Sequence, residues 1–256
     1  MLLTPLYWIG CVFPPAGLFP HERIFCPGMC GRFARRSTQQ VLADWFGVEL
    51  EEMPWFAPSY NAAPQSVQPV VRLNRDSGKP EFVLNRWGLV PFWAKDAKPA
   101  YATINARAEE AATKPAFREA LKKRRCLVPA DAFYEWQRPN PELDAKTKQP
   151  FAIALKSGEP YAFAGLWERW QPKEGPALET FTILTTDPNE LMEPIHNRMP
   201  VILDPRDYAR WLQPGDPARP PIDLLRPFPA EKMLAWPVSG RVGNVRNNDP
   251  QLLEQF

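Results

Sequence analysis

The sequence predicts an α+β fold, a single domain on a mixed or antiparallel β-sheet core with short peripheral helices. Three observations predict it. Runs rich in aromatic and β-branched residues fill the middle of the chain, at Phe151–Leu155, Tyr161–Trp167 and Phe181–Thr185. Helical patterning is confined to short stretches with their own start signals. The 256 residues include 32 prolines, more than twice the usual share of about 5%. These are scattered rather than clustered, which implies short elements joined by stiff loops. A chain of this length can hold one large domain or two small ones. No internal repeat or low-complexity linker divides it.

Met1–Gly28 stands apart as a leader outside the domain, which spans residues 29–256. It has no basic opening, and prolines at 5, 14, 15 and 20 break its apolar run. It is therefore a poor signal peptide and too short to span a membrane. Trp8-Ile9-Gly10-Cys11 faintly resembles a lipoprotein cleavage box without the charged residues that should precede it. The leader reads as upstream sequence included by a misplaced start codon. The alternative is a propeptide removed to expose Cys30.

Ser37 followed by Gln40 is a capping box, with Val41, Leu42, Trp45 and Phe46 forming a helical apolar face. Trp87 reads as core, whereas Phe92 and Trp93 fall in a loop bounded by proline and lysine. Ile104, Ala106 and Ala108 alternate with Asn105, Arg107 and Glu109, which on a strand separates an apolar face from a polar one. Pro115 opens a helix with Phe117, Ala120 and Leu121 on one side. Arg138–Gln149 is polar and reads as a long loop between strands. Lys156-Ser157-Gly158-Glu159 joins its flanking strands as a hairpin. Asp187-Pro188-Asn189-Glu190 and Asp204-Pro205-Arg206-Asp207 are helix starts. The first is stopped quickly by Pro194, just before His196. The second presents Tyr208, Trp211 and Leu212 to the core.

Hydrophobic content of 45% and charged content of 23% are ordinary for a globular protein. A net charge of +2 excludes a histone-like polycation, so any nucleic-acid contact requires a local basic patch. The four cysteines, Cys11, Cys26, Cys30 and Cys126, are too sparse for a disulfide scaffold. His21, Cys26 and Cys30 fit no common zinc spacing, and no metal site is expected.

The dipeptide Met29-Cys30 carries a specific chemistry. If Met29 is removed, the Cys30 thiol lies beside a free α-amine. Such an amine has a reference pKa of roughly 8, against about 10.4 for lysine, so more of it is neutral near pH 7. It can attack an aldehyde to give an imine, and the thiol can close a thiazolidine on the same carbon. An internal Cys30 has an amide nitrogen and cannot do this. Glu135 lies between Tyr134 and Trp136, either as an exposed strand residue or as a carboxyl desolvated by aromatics into a proton donor and acceptor. Asn105 and His196 each have a structural reading beside a catalytic one. Arginine forks at Arg32, Arg107 and Arg198 suit phosphate. Phe92 and Trp93 offer a wedge against bases.

Four segments resemble the SRAP (SOS response-associated peptidase) family: Met29-Cys30-Gly31-Arg32-Phe33, Thr103–Glu109, Pro129–Trp136 and Pro194–Pro200. Tyr60-Asn61-Ala62-Ala63-Pro64, Trp87-Gly88, Pro237-Val238-Ser239 and Val242-Gly243-Asn244-Val245 extend the likeness. The resemblance implies a cytoplasmic, nucleoid-associated DNA-damage protein that traps abasic sites covalently through Cys30. Its substrate would be single-stranded DNA or a single-strand/duplex junction. It implies that Glu135 is the acid–base, that His196 moves protons, and that Asn105 holds the sugar and the amine. Arg32, Asn61, Phe92, Trp93, Arg107, Thr185 and Arg198 would contact DNA or lie near the site. No cofactor, metal, membrane or second subunit is implied. A thiol (auto)peptidase using Cys30, His196 and Asn105 is one alternative. A non-covalent reader of modified bases is another.

Overall fold

Among residues 31–97, 103–137 and 148–256, which the computed structural model describes, thirteen strands and four short α-helices form. A five-stranded sheet runs in the order β13 (Met233–Pro237), β8 (Pro150–Leu155), β7 (Ala132–Trp136), β1 (Phe33–Arg35) and β2 (Ser59–Ala62). The second sheet contains β3 (Val67–Leu73), β4 (Pro80–Trp87), β6 (Arg125–Ala130), β9 (Tyr161–Trp170) and β10 (Leu178–Thr186). Hydrogen bonding passes from β10 through β4, β3, β6 and β9 and returns to β10, so these five close into a barrel-like ring. Closure leaves no open edge within the ring. Short strands β5 (Asn105–Arg107), β11 (Met199–Pro200) and β12 (Ile202–Leu203) add to it. Pairing is antiparallel except where β10 meets β4 and β5, so the first sheet is antiparallel and the second mixed, within the mixed or antiparallel core the sequence predicts.

Three apolar layers hold these parts together. Phe33, Phe133 and Ile153 of the first sheet pack against Val70, Trp87, Val128, Phe163 and Phe181 of the second. Helices α1 (Gln39–Phe46), α3 (Arg118–Lys123) and α4 (Tyr208–Leu212) supply Leu42, Phe46, Leu121 and Trp211 to a cluster with Val71, Leu127 and Leu184. The other face of the five-stranded sheet, with Ala34, Tyr134 and Ala152, is covered by Val238, Val242 and Leu252 of the C-terminal segment. Strand β6 is buried along its whole length, because the barrel shields both of its faces. Its neighbour β9 must carry glycine at 165. A Cβ there would lie 2.8 Å from Cys126 Sγ and 2.9 Å from Val128 Cγ2.

The Asp204 helix start forms as expected, with the carboxylate accepting from the Arg206 amide and Tyr208, Trp211 and Leu212 buried. Trp87 is buried core. Other expectations need correction. Helix α1 is capped by Thr38, whose hydroxyl accepts from the Val41 amide, because Ser37 Oγ is engaged by Asp131. Helix α3 starts at Arg118, three residues after Pro115, following a turn in which the Lys114 carbonyl accepts from the Phe117 and Arg118 amides.

Strands β8 and β9 are not a hairpin: they lie in different sheets, and the connection from Lys156 to Pro160 crosses between them. β8 is already paired on both sides by β7 and β13, so no edge is free for β9. The alternation from Ile104 ends at Arg107, where α2 (Ala108–Ala111) begins, and Asn105 is buried rather than solvent-facing. Asp187 starts no helix. Asn189 begins two successive turns instead: its carbonyl accepts from the Met192 and Glu193 amides, and the Met192 carbonyl accepts from the Ile195 and His196 amides. Of Arg138–Gln149, residues 138–147 lie outside the described set. The ends are tied by the Gln137 amide donating to the Gln149 carbonyl at 2.8 Å, so the segment joins two paired strands.

Candidate active site

Strand β7 carries Glu135, which is only 3% exposed. Side chains alternate across a strand. Phe133 and Glu135 therefore share the face turned to the inter-sheet layer, while Tyr134 and Trp136 pack on the opposite face. The flanking aromatics are not what buries this carboxyl; the layer between the sheets is. β1 pairs with β7 through Phe33 with Phe133 and Ala34 with Ala132, and the Tyr134 amide donates to the Arg32 carbonyl at 3.0 Å. Continuing that register sets Gly31 opposite Glu135. Cys30 itself, with the leader and its Cys26, lies outside the described residues.

An aromatic relay connects β1 to β5. The Phe33 ring lies 5.3 Å from Trp87, and Trp87 Nε1 donates to the Ile104 carbonyl at 2.8 Å. The next residue is Asn105, 2% exposed, opposite Ile183 on β10. Two residues further along the same ladder, Thr185 faces Arg107 and is fully buried. The Thr185 carbonyl accepts from Arg198 Nη2 at 2.8 Å. Arg198 also bonds Asp187 and Glu109, each at 2.8 Å. Partial burial would raise the Glu109 carboxyl, but the Arg198 hydrogen bond and charge hold it below its ordinary range. Arg198 thus ties the segment carrying His196 to β10 and α2, with most of its donors already used.

His196 sits at the end of the second of these turns, mostly buried, with its amide held by the Met192 carbonyl. Its Nδ1 lies 3.1 Å from both the amide nitrogen and the carbonyl oxygen of Arg198. An unprotonated Nδ1 accepts from that N–H, and a protonated Nδ1 donates to that carbonyl. The ring can therefore gain or lose a proton without losing its anchor.

The remaining candidates differ in availability. Arg107 is exposed, and among the described residues its ion pair is a loose 3.7 Å contact with Glu110. Arg32 donates to Asn61 and to the Val242 and Gly243 carbonyls, and burial lowers its pKa. Asn61 is buried and spends its amide on the same segment. Phe92 and Trp93 are 54% and 56% exposed on a loop anchored by Trp170 Nε1 to the Ala94 carbonyl. A cleft of about 490 Å³ bounded by Arg72, Lys123 and Trp167 shares only Phe92 with the candidates.

Among the described residues no group of His, Cys, Asp or Glu is placed to hold a metal ion. Among them, too, no helix is long and apolar enough to cross a membrane. Sequence reasoning missed the partners of Arg198, Glu109 and Asp187, and gave no role to Val242–Asn247. The only signal for the latter was the motif at Val242-Gly243-Asn244-Val245.

Residues 29–245 match the family model described as SOS response associated peptidase (SRAP). The chain belongs to this family. It is 45% identical over 229 residues to the abasic site processing protein YoqW of Bacillus subtilis, covering 88% of this chain and 99% of that one. It is 36% identical over 228 residues to the abasic site processing protein HMCES of Xenopus tropicalis, covering 77% of this chain and 66% of that one. A crystal structure of a protein from Bacteroides thetaiotaomicron superposes with a TM-score of 0.76 at 28% identity, covering 89% of this chain and all of the other. As an SRAP protein the chain shares its single-domain fold with that neighbour.

Proposed function

We propose that this SRAP protein acts in the DNA-damage response by capturing abasic sites in single-stranded DNA or at a single-strand/duplex junction, through a covalent link to Cys30. The observation that carries the reading is the register of β1 on β7, which sets the residue after Cys30 opposite the buried Glu135. The names of the relatives, abasic site processing proteins, point to the same substrate.

The sequence of steps follows from the groups present. An abasic deoxyribose is mostly a closed hemiacetal; Glu135 protonates the ring oxygen as the hydroxyl proton leaves, giving the aldehyde. The free α-amine of Cys30 adds to that carbon, and loss of one water gives an imine. The thiol then adds to the imine carbon and its proton ends on nitrogen, closing a thiazolidine. His196 carries protons between these steps, and Asn105 holds the sugar hydroxyls and the amine. Arg107, exposed on β5, draws in the backbone, and Phe92 and Trp93 wedge against the adjoining bases. Backbone contacts read no sequence, and binding weakens with salt as counterions are retained.

The chemistry requires Cys30 to be the first residue. Protein beginning at Cys30, incubated with abasic single-stranded DNA and then denatured, should run as a DNA adduct. The adduct should be absent with Cys30→Ser and with a chain that retains residues 1–29. It should form about 10²–10⁴-fold more slowly with Glu135→Gln. Peptide cleavage without an adduct would instead establish a thiol peptidase. Reversible, base-dependent binding would establish a reader of modified bases.

A further inference from the structure

We infer that Asn61 is a positioning residue, clamping Arg32 to the C-terminal segment and thereby fixing the start of β1. The inference rests on the reading of Cys30 as the reactive N-terminus, two residues before Arg32.

Asn61 is 5% exposed on β2, the neighbour of β1. Its Oδ1 accepts from Arg32 Nη1 at 2.9 Å. Its Nδ2 faces the carbonyls of Val242, Asn244 and Asn247 at 3.2, 3.1 and 2.9 Å. Arg32 reaches the same segment directly, Nη1 donating to the Val242 carbonyl at 2.7 Å and Nη2 to the Gly243 carbonyl at 3.2 Å. One amide and one guanidinium thus knit three parts of the chain together, those parts lying 29 and 210 residues from Arg32.

The anchor is itself stiff. Ser239 Oγ accepts from the Arg241 amide, Asn247 Nδ2 donates to the Arg241 carbonyl at 2.7 Å, and Arg241 pairs with Asp249 at 2.8 Å. The Tyr60 amide, next to Asn61, donates to Asn248 Oδ1 at 2.6 Å. Val242 and Leu252 plug the segment into the outer face of the five-stranded sheet.

A carboxamide accepts from a guanidinium through its oxygen while offering two N–H donors to carbonyls, and a hydroxyl or neutral imidazole offers only one. An ionised carboxylate keeps the first contact and loses the second. Leucine keeps the bulk and loses both. A nucleophile displaced by about 1 Å can lose about 10²-fold in rate, so the loss should appear in the bound complex and not only in affinity.

The test uses protein beginning at Cys30, with Asn61→Asp, Asn61→Leu and Arg32→Lys. Asn74→Ala is the control, since its side chain bonds Glu81 and the Asp76 amide rather than Arg32 or the C-terminal segment. Two rates are measured well below each variant's melting midpoint: adduct formation at saturating abasic single-stranded DNA, and condensation of the N-terminal cysteine with glyoxylate, followed by mass. The Asn61 variants and Arg32→Lys should be about 10- to 10²-fold slower in both, with Asn74→Ala unchanged. Combining Arg32→Lys with Asn61→Leu should cost little more than either alone, because both break one clamp.

Parental rates in Asn61→Asp would overturn the inference, and so would equal slowing in Asn74→Ala. If the Asn61 variants do not fold, Arg32→Lys tests the same clamp from its other end. The glyoxylate rate involves no DNA. A parent protein that makes no DNA adduct would overturn the proposed function, while the glyoxylate comparison would still decide the clamp.

Discussion

Two buried glutamates show how position decides what a carboxyl can do. Glu135 faces the inter-sheet layer beside the chain that leads to Cys30. Glu168, nearly as buried, lies at the far end of β9 and is held by Arg124 Nη2 at 2.7 Å. Desolvation raises the Glu168 pKa, and the Arg124 charge and hydrogen bond only partly oppose it. A folded-state value above the unfolded one means that the folded protein binds this proton more tightly. The resulting stability is present below the ordinary value of 4.5 and is lost as pH rises through the raised folded value. We expect Glu168→Gln to flatten that decline, seen as urea midpoints that change less from pH 4.5 upward than those of the parent. A steeper decline in the variant would contradict the assignment.

At the scale of elements, β9 sets the tolerance of the barrel. Gly165→Ala would place a methyl group 2.8 Å from Cys126 Sγ and 3.3 Å from the Cys126 carbonyl. Overpacking of this kind costs about 1–3 kcal/mol. The cost should appear as a lowered denaturation midpoint, and Cys126→Ala should recover part of it. Sequence reasoning reached such elements unevenly. Two helix starts were legible to within three residues, because caps and prolines act locally: Thr38 in place of Ser37, Arg118 in place of Pro115. Strand runs were legible from composition. Strand partners were not. The Lys156–Glu159 turn has the composition of a hairpin whether its arms pair with each other or cross between sheets, and only the prior occupation of β8 by β7 and β13 decides. In the site, residue types near Cys30 could be read along the chain. The bonds from Arg32 to residue 242 and from Arg198 to Glu109 span distances that no local pattern reports.

For the whole molecule, the C-terminal segment matters as much as the ring. Val238, Val242 and Leu252 are fully buried against the outer face of the five-stranded sheet. Burying side chains of this size contributes about 1.5–3 kcal/mol each, against a typical total of about 5–15 kcal/mol for a domain. Removing residues 238–256 should therefore leave a chain that is largely unfolded at room temperature by circular dichroism. A truncated chain with the parental melting midpoint would show that the cover is dispensable.

β10 carries a further consequence. Along one side it pairs first with β4, at Thr180 and Phe181, and then with β5, from Ile183 to Thr185. The strand is continuous while its neighbour is replaced. Whatever joins β4 to β5 has to leave the ladder at Gly88 and rejoin it near Asn105, so its length enters no register. That stretch holds the exposed Phe92 and Trp93, while Leu89, Val90 and Ile104 at its two ends are buried, so an exchange that spares those ends leaves Asn105 in its seat beside Ile183. Under the proposed function, transplanting the exposed middle of that stretch between homologues would change the surface offered to DNA without altering the residues around Asn105.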